Sequence, residues 1–157
     1  MDNRVSTIQF LARRLGAWLL AVAVAYLLAS VTATQSVIAA LGGMGLPVPM
    51  TERLSVTLQD ILGMSSMFLP MVAFALLIAF MTAALLCRWL ARWRLPLYAV
   101  AGAAAVVMIH LVLHLAFGIT PIAIGRSAGG LALQGLAGAA GGLCYVLLVR
   151  NQSAGDW

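Results

Sequence analysis

Four stretches of this chain, residues 15–33, 67–86, 97–117 and 128–149, contain no Asp, Glu, Lys or Arg. A helix needs about 20 apolar residues to cross a hydrocarbon core about 30 Å thick, and each stretch has that length. A backbone in lipid must satisfy its own hydrogen bonds, which a helix does within one segment. The composition agrees. Of 157 residues, 64% are hydrophobic and 8% charged, with a mean hydropathy of +1.07, where soluble domains are about half apolar and a quarter charged. The sequence therefore predicts an all-α integral membrane protein with the lipid bilayer as its first partner.

Residues 34–66 form the one long connection, between the first and second stretches; the other two connections are short. Short links make neighbouring helices antiparallel hairpins. The expected fold is a single transmembrane domain over residues 1–157. It is a four-helix transmembrane bundle of two hairpins, with a short amphipathic helix in the outer connection.

Orientation follows from the arginines. All nine basic residues are Arg, and the formal net charge is +5. Arg4, Arg13, Arg14, Arg88, Arg92, Arg94 and Arg150 fall on one side of the four stretches; Arg53 and Arg126 fall on the other. Cytoplasmic loops collect Lys and Arg, so both termini are expected in the cytoplasm and the long connection outside. The all-arginine usage, with much Ala and Gly, reads as a GC-rich bacterial genome and hence a bacterial inner membrane. A pI of 10.3 would suggest nucleic acid in a soluble chain. Here the arginines flank apolar segments and act as topology signals, so no nucleic-acid partner is expected. The first stretch also has a signal-peptide reading, with small residues 31–33 as a cleavage site. Its apolar run exceeds the usual 7–15 residue signal core, which favours an uncleaved anchor.

Within the outer connection, "GGMGLPVPM" is a turn-rich break. Residues 51–62 then place Leu54, Leu58, Ile61 and Leu62 on one helical face, with Glu52, Arg53, Gln59 and Asp60 elsewhere. Thr51 is positioned to cap this helix and Gly63 to end it. It reads as a connector on the outer membrane surface or over the bundle mouth, or as a docking helix or lid. Pro70 also permits a kinked continuation into the second span.

The residues with chemistry are few. His110 and His114 lie four apart on one face of the third span, roughly 6 Å from each other. With a turn near residues 119–122, an antiparallel hairpin brings His110 level with Gln134, and His114 level with Arg126 and Ser127. These five form the candidate intramembrane polar cluster. A haem ligated on both faces needs histidines from opposite sides, which one helix does not supply. The i, i+4 histidine pair is half a metal site, but no Glu and no third His, Asp or Glu falls within the spans. Met64, Met67 and Met71 with imidazole would suit Cu(I), although methionine at such spacing is ordinary deformable packing. No carboxylate lies in a span to serve a proton-coupled carrier. No GxSxG, HExxH or paired carboxylates appear, so no catalytic residues, cofactor or metal are expected and the chain is not expected to be an enzyme. Cys87 and Cys144 lack CxxC spacing and read as buried free thiols.

The fourth span carries a packing signal. Gly135, Gly138, Ala139 and Gly142 share a face, and Gly138-x-x-x-Gly142 is a GxxxG pattern that lets helices approach closely. That face serves either packing within the chain, against residues 102–105, or a homo- or hetero-oligomer through the Gly-rich span. Trp18, Trp89, Trp93, Tyr98 and Tyr145 fall near the arginine-rich side, as interfacial aromatics do. The functional expectation is a small multi-pass membrane protein without a catalytic site, an accessory, assembly or structural subunit. The alternative is a His/Met-dependent metal or haem binder, or a small oligomeric carrier, using His110 and His114.

Overall fold

A computed structural model of the chain describes residues 2–46, 48–117 and 127–154. Its elements are helices: α1 (Asp2–Gly43), α2 (Met50–Ser65), α3 (Phe68–Cys87), α4 (Arg94–Phe117) and α5 (Ala128–Ala154), with a 3₁₀ turn, Ala91–Trp93, before α4. Four segments are long and apolar enough to cross a membrane: Ile8–Gly43, Phe68–Cys87, Ala91–Ala116 and Ala128–Arg150. Around the bundle the order is α1, α5, α4, α3. α5 packs extensively on both α1 and α4, while α3 packs on α4 and touches α1.

α1 runs past the expected end of the first span, continuing through ten residues assigned to the connection. At 1.5 Å per residue its 42 residues make a rod of about 63 Å, roughly twice the hydrocarbon thickness. It stops where the first turn-rich glycines fall. Gly45 has φ +81°; its N–H donates to the Gly42 carbonyl, and the Leu46 N–H donates to the Leu41 carbonyl, both at 3.1 Å. This pair of bonds is a Schellman C-cap, and its left-handed residue is why glycine stands there.

α2 differs from expectation at both ends. Thr51 does not cap it: the helix starts at Met50 behind Pro49, whose carbonyl accepts the Arg53 N–H at 3.0 Å. Gly63 does not end it; the break comes at Ser66 and Met67, before α3. Pro70 and Pro96 each fall third in their helices, where the missing N–H has no intrahelical partner to lose. α2 has no buried residue. It meets α1 with its polar side, while Leu54, Leu58 and Leu62 stay exposed, Leu62 at 74%.

Packing is built from small residues. Along α1 a stripe of alanines, Ala17, Ala21, Ala25, Ala29 and Ala33, is buried at every fourth position. On α5, Gly141 faces this stripe so closely that a Cβ there would lie 2.9 Å from both the Ala21 carbonyl oxygen and the Ala25 Cβ. Gly138 and Gly142 face the other way, onto α4. A Cβ on Gly138 would lie 2.7 Å from the Gly102 carbonyl carbon, and one on Gly142 would lie 2.7 Å from that of Tyr98. Gly135 is looser, 3.4 Å from Val107, and Ala139 is half-buried. α5 is thus a two-faced spacer seated between α1 and α4. Lipid tails are as apolar as leucine, so such contacts gain by close van der Waals approach rather than by escape from water.

The arginine-rich end is closed by rings. Phe80, Tyr98 and Tyr145, from α3, α4 and α5, stand 4.7–5.6 Å apart, centroid to centroid. Tyr98 is buried, unlike Trp89 and Trp93, which are exposed in the α3–α4 connection. The tyrosines are therefore core residues, whereas these two tryptophans are positioned as interfacial rings are. Gly141 meets Ala21 and Ala25 while Gln134 meets Ala29, and Gly142 meets Tyr98 while Gly138 meets Gly102, so α1 and α4 both run antiparallel to α5 and start at the same end.

Candidate functional site

Ser30 follows Arg14, His110 follows Arg94 and Gln134 precedes Arg150, in each case by 16 residues. At 1.5 Å per residue all three stand about 24 Å of helix from the arginine-rich end. Three helices therefore bring polar side chains to one level in the half of the bundle away from the arginines. Each is withdrawn from the surface: Ser30 and Gln134 are 0% exposed and His110 is 3% exposed.

Gln134 is the clamp of this level. Its Nε2 donates to the Ala29 carbonyl at 2.9 Å and to Thr32 Oγ1 at 3.3 Å, tying α5 to α1. On its other side it reaches His110 of α4. Neither His110 Nε2 nor Gln134 Oε1 has a hydrogen-bond partner among the described residues, although the two are chemically complementary, since an imidazole N–H donates what an amide oxygen accepts. The imidazole also stacks on Phe68 of α3, centroids 6.0 Å apart and planes 25° from parallel. Phe68 in turn lies 6.1 Å from Tyr26 of α1. Ser30 Oγ is buried without a hydrogen-bond partner.

A second layer joins this level to α2. Thr34 Oγ1 donates to Asp60 Oδ2 at 2.8 Å, with the Ser30 carbonyl 3.1 Å away. Gln35 Nε2 donates to Thr57 Oγ1 at 3.1 Å, and the Tyr26 hydroxyl donates to the Ile61 carbonyl. The polar groups of α1 between residues 26 and 35 are thus shared between α2 and α5.

Of the five residues predicted to cluster, the structure brings His110 and Gln134 together. Ser127 serves its own helix instead, where its Oγ accepts the Gly130 N–H at 3.0 Å and caps the start of α5. His114 is exposed. Arg126 and the turn at residues 119–122 lie outside the described residues. The sequence reading missed Tyr26, Ser30, Thr34 and Asp60. The 16-residue offset from the nearest arginine was the available signal for Ser30, and the alanine stripe beside it showed which face of α1 turns inward.

Chemically the arrangement offers hydrogen bonds between helices. Among the described residues no three His, Cys, Asp or Glu side chains gather as a metal-binding group. Cys87 and Cys144 are half-buried free thiols. Compared with protein-family models, with curated proteins and with solved structures, the chain finds no match.

Proposed function

We propose that this chain is a multi-pass inner-membrane protein of bacterial type that acts as an accessory, assembly or structural subunit and carries out no catalysis. Its spans pair as two antiparallel hairpins through the short connections, α3 with α4 and α4 with α5. Both termini lie in the cytoplasm, and α2 is an amphipathic helix on the outer side. Seven of nine arginines on one side of the spans support the orientation through the excess of Lys and Arg in cytoplasmic loops. The exposed Leu54, Leu58 and Leu62 support a lipid-facing α2, because apolar surface there costs nothing against acyl chains. Retention of the first span fits Gln134, whose acceptor at Ala29 would leave with a cleaved leader.

The observation that carries the functional reading is how the interior polar groups are used. Gln134, Thr34, Gln35 and Asp60 are spent on bonds from helix to helix, which hold a scaffold. Homo- or hetero-oligomerisation through the fourth span uses the outer side of α5, where Leu133, Leu136 and Leu147 are exposed; Gly138 and Gly142 already seat α4.

A second reading, a His-dependent haem or metal binder, rests on one observation: His110 is a buried imidazole whose Nε2 has no hydrogen-bond partner among the described residues. Extraction in mild detergent with a visible spectrum, metal analysis and particle mass separates the two. The subunit reading expects no Soret band, substoichiometric metal and a protein mass above one 16.5 kDa chain. A Soret band or one metal per chain would establish the second reading instead. A colourless single chain would remove both.

A further inference from the structure

We propose that the groove between α3 and α4 is a binding site for an anionic glycerophospholipid, with an acyl chain in the groove and the phosphate on Arg88 and Arg92. The groove has a volume of about 700 Å³, and its walls are nearly all carbon. Its floor is made of alanines, among them Ala79, Ala83, Ala101 and Ala105. Thr82 is the lining residue with a polar side chain, and its hydroxyl donates to the Ile78 carbonyl of its own helix at 2.9 Å. Nothing in the walls therefore calls for a polar ligand.

The length of the groove suits an acyl chain. The α4 side runs from Leu97 to Val112, about 22 Å at 1.5 Å per residue, against about 15 Å for half the hydrocarbon core. A hydrocarbon chain fits, and one leaflet's worth lies within it entirely.

The end of the groove identifies the headgroup. At Leu86 and Leu97 it opens onto the α3–α4 connection, which carries Arg88 and Arg92, both exposed, and Arg94, half-buried. No acidic residue occurs in the sequence between Asp60 and Asp156, so neither α3, α4 nor their connection supplies a carboxylate. Trp89 and Trp93 flank the arginines, exposed at 87% and 60%, at the depth where indole rings favour the headgroup region. Basic pockets between spans on the cytoplasmic side recognise anionic headgroups. Arginines in the connection at the end of an apolar slot are the complement of a phosphate tethered to an acyl chain.

The site rests on the membrane-spanning reading, and its test is separable from that reading. The protein is reconstituted in bilayers of equal parts phosphatidylglycerol and phosphatidylcholine with identical chains, extracted gently, and its retained lipid identified by native mass spectrometry. Retained lipid should be enriched in phosphatidylglycerol. Each of Arg88→Gln and Arg92→Gln should lower that enrichment about five-fold. Ala104→Phe, which fills the groove from an exposed position, should reduce retained lipid of both kinds with helicity unchanged. No headgroup preference in the unaltered protein, or a preference that survives loss of both arginines, would overturn the proposal. So would a second polypeptide displaced by Ala104→Phe in place of lipid. A chain recovered without detergent would instead refute the membrane reading itself.

Discussion

Gly102 of α4 and Gly138 of α5 face each other so closely that a methyl group on either would enter the carbonyl group of the other. The same holds between Gly142 and the Tyr98 carbonyl, and these contacts set the distance between the two helices. Gly142→Ala should therefore destabilise the bundle by about 1–3 kcal/mol, the usual cost of overpacking. Gly63→Ala in α2, where an added Cβ meets nothing within 4 Å, should be neutral or stabilising by about 0.5–1 kcal/mol. Equilibrium unfolding in mixed detergent micelles measures both. Equal effects at the two positions would mean that α4 and α5 do not meet through their glycines.

The Gln134 level predicts a coupled pair. Gln134→Leu removes the bond to Ala29 and the amide complementary to the His110 imidazole, so it should cost about 1–2 kcal/mol. Adding His110→Leu removes the stranded imidazole and should recover part of that loss. The same unfolding assay decides: a double variant less stable than the sum of the two singles would contradict the pairing of these side chains.

Docking of α2 onto α1 predicts a cross-link with directional preference. In a background lacking Cys87 and Cys144, Gln35→Cys with Thr57→Cys should join through a short bis-maleimide, following the 3.1 Å bond between the native side chains. Gln35→Cys with Leu58→Cys should not, because Leu58 is on the exposed side. Equal yields from the two pairs would show that the polar side of α2 does not face α1.

Retention of the first span predicts a mass. The protein isolated from membranes should include residues 1–33, since Ala29 accepts the Gln134 amide and Ala21 and Ala25 seat Gly141. Intact-mass spectrometry showing a chain that starts at Thr34 would contradict this.

The apolar stretches were readable because lipid imposes one rule on a whole segment: about 20 residues without charge. The observed apolar segments begin and end close to those expected, except for α1, whose continuation past Ala33 crosses Thr34, Gln35 and Ser36. Those residues look like a loop by polarity, yet each is held in the helix by neighbours: Thr34 by Asp60, Gln35 by Thr57, and Ser36 by the Thr32 carbonyl at 2.7 Å. Sequence alone shows polarity without showing its partner. The same limit applies to the candidate site. The level of His110 against Gln134 follows from hairpin arithmetic, but Ser30 and Asp60 come from segments whose placement depends on how α1 and α2 pack. Depth alone sets Ser127 level with His114, whereas the start of α5 uses it as a cap because its first N–H groups lack helical partners. The glycines of α5 announced close packing; which neighbour each one admits is set by their angles around the helix, with Gly141 turned to α1 and Gly138 and Gly142 to α4.

The central claim is that the chain crosses a bilayer four times, with its arginine-rich end inside and α2 outside. Single cysteines at Met44, Ala91 and Ser153, in a background lacking Cys87 and Cys144, test it with an impermeant maleimide applied to spheroplasts. Met44→Cys should label in intact spheroplasts, whereas Ala91→Cys and Ser153→Cys should label only after lysis. Labelling of Ala91→Cys before lysis, or protection of Met44→Cys, would contradict the account.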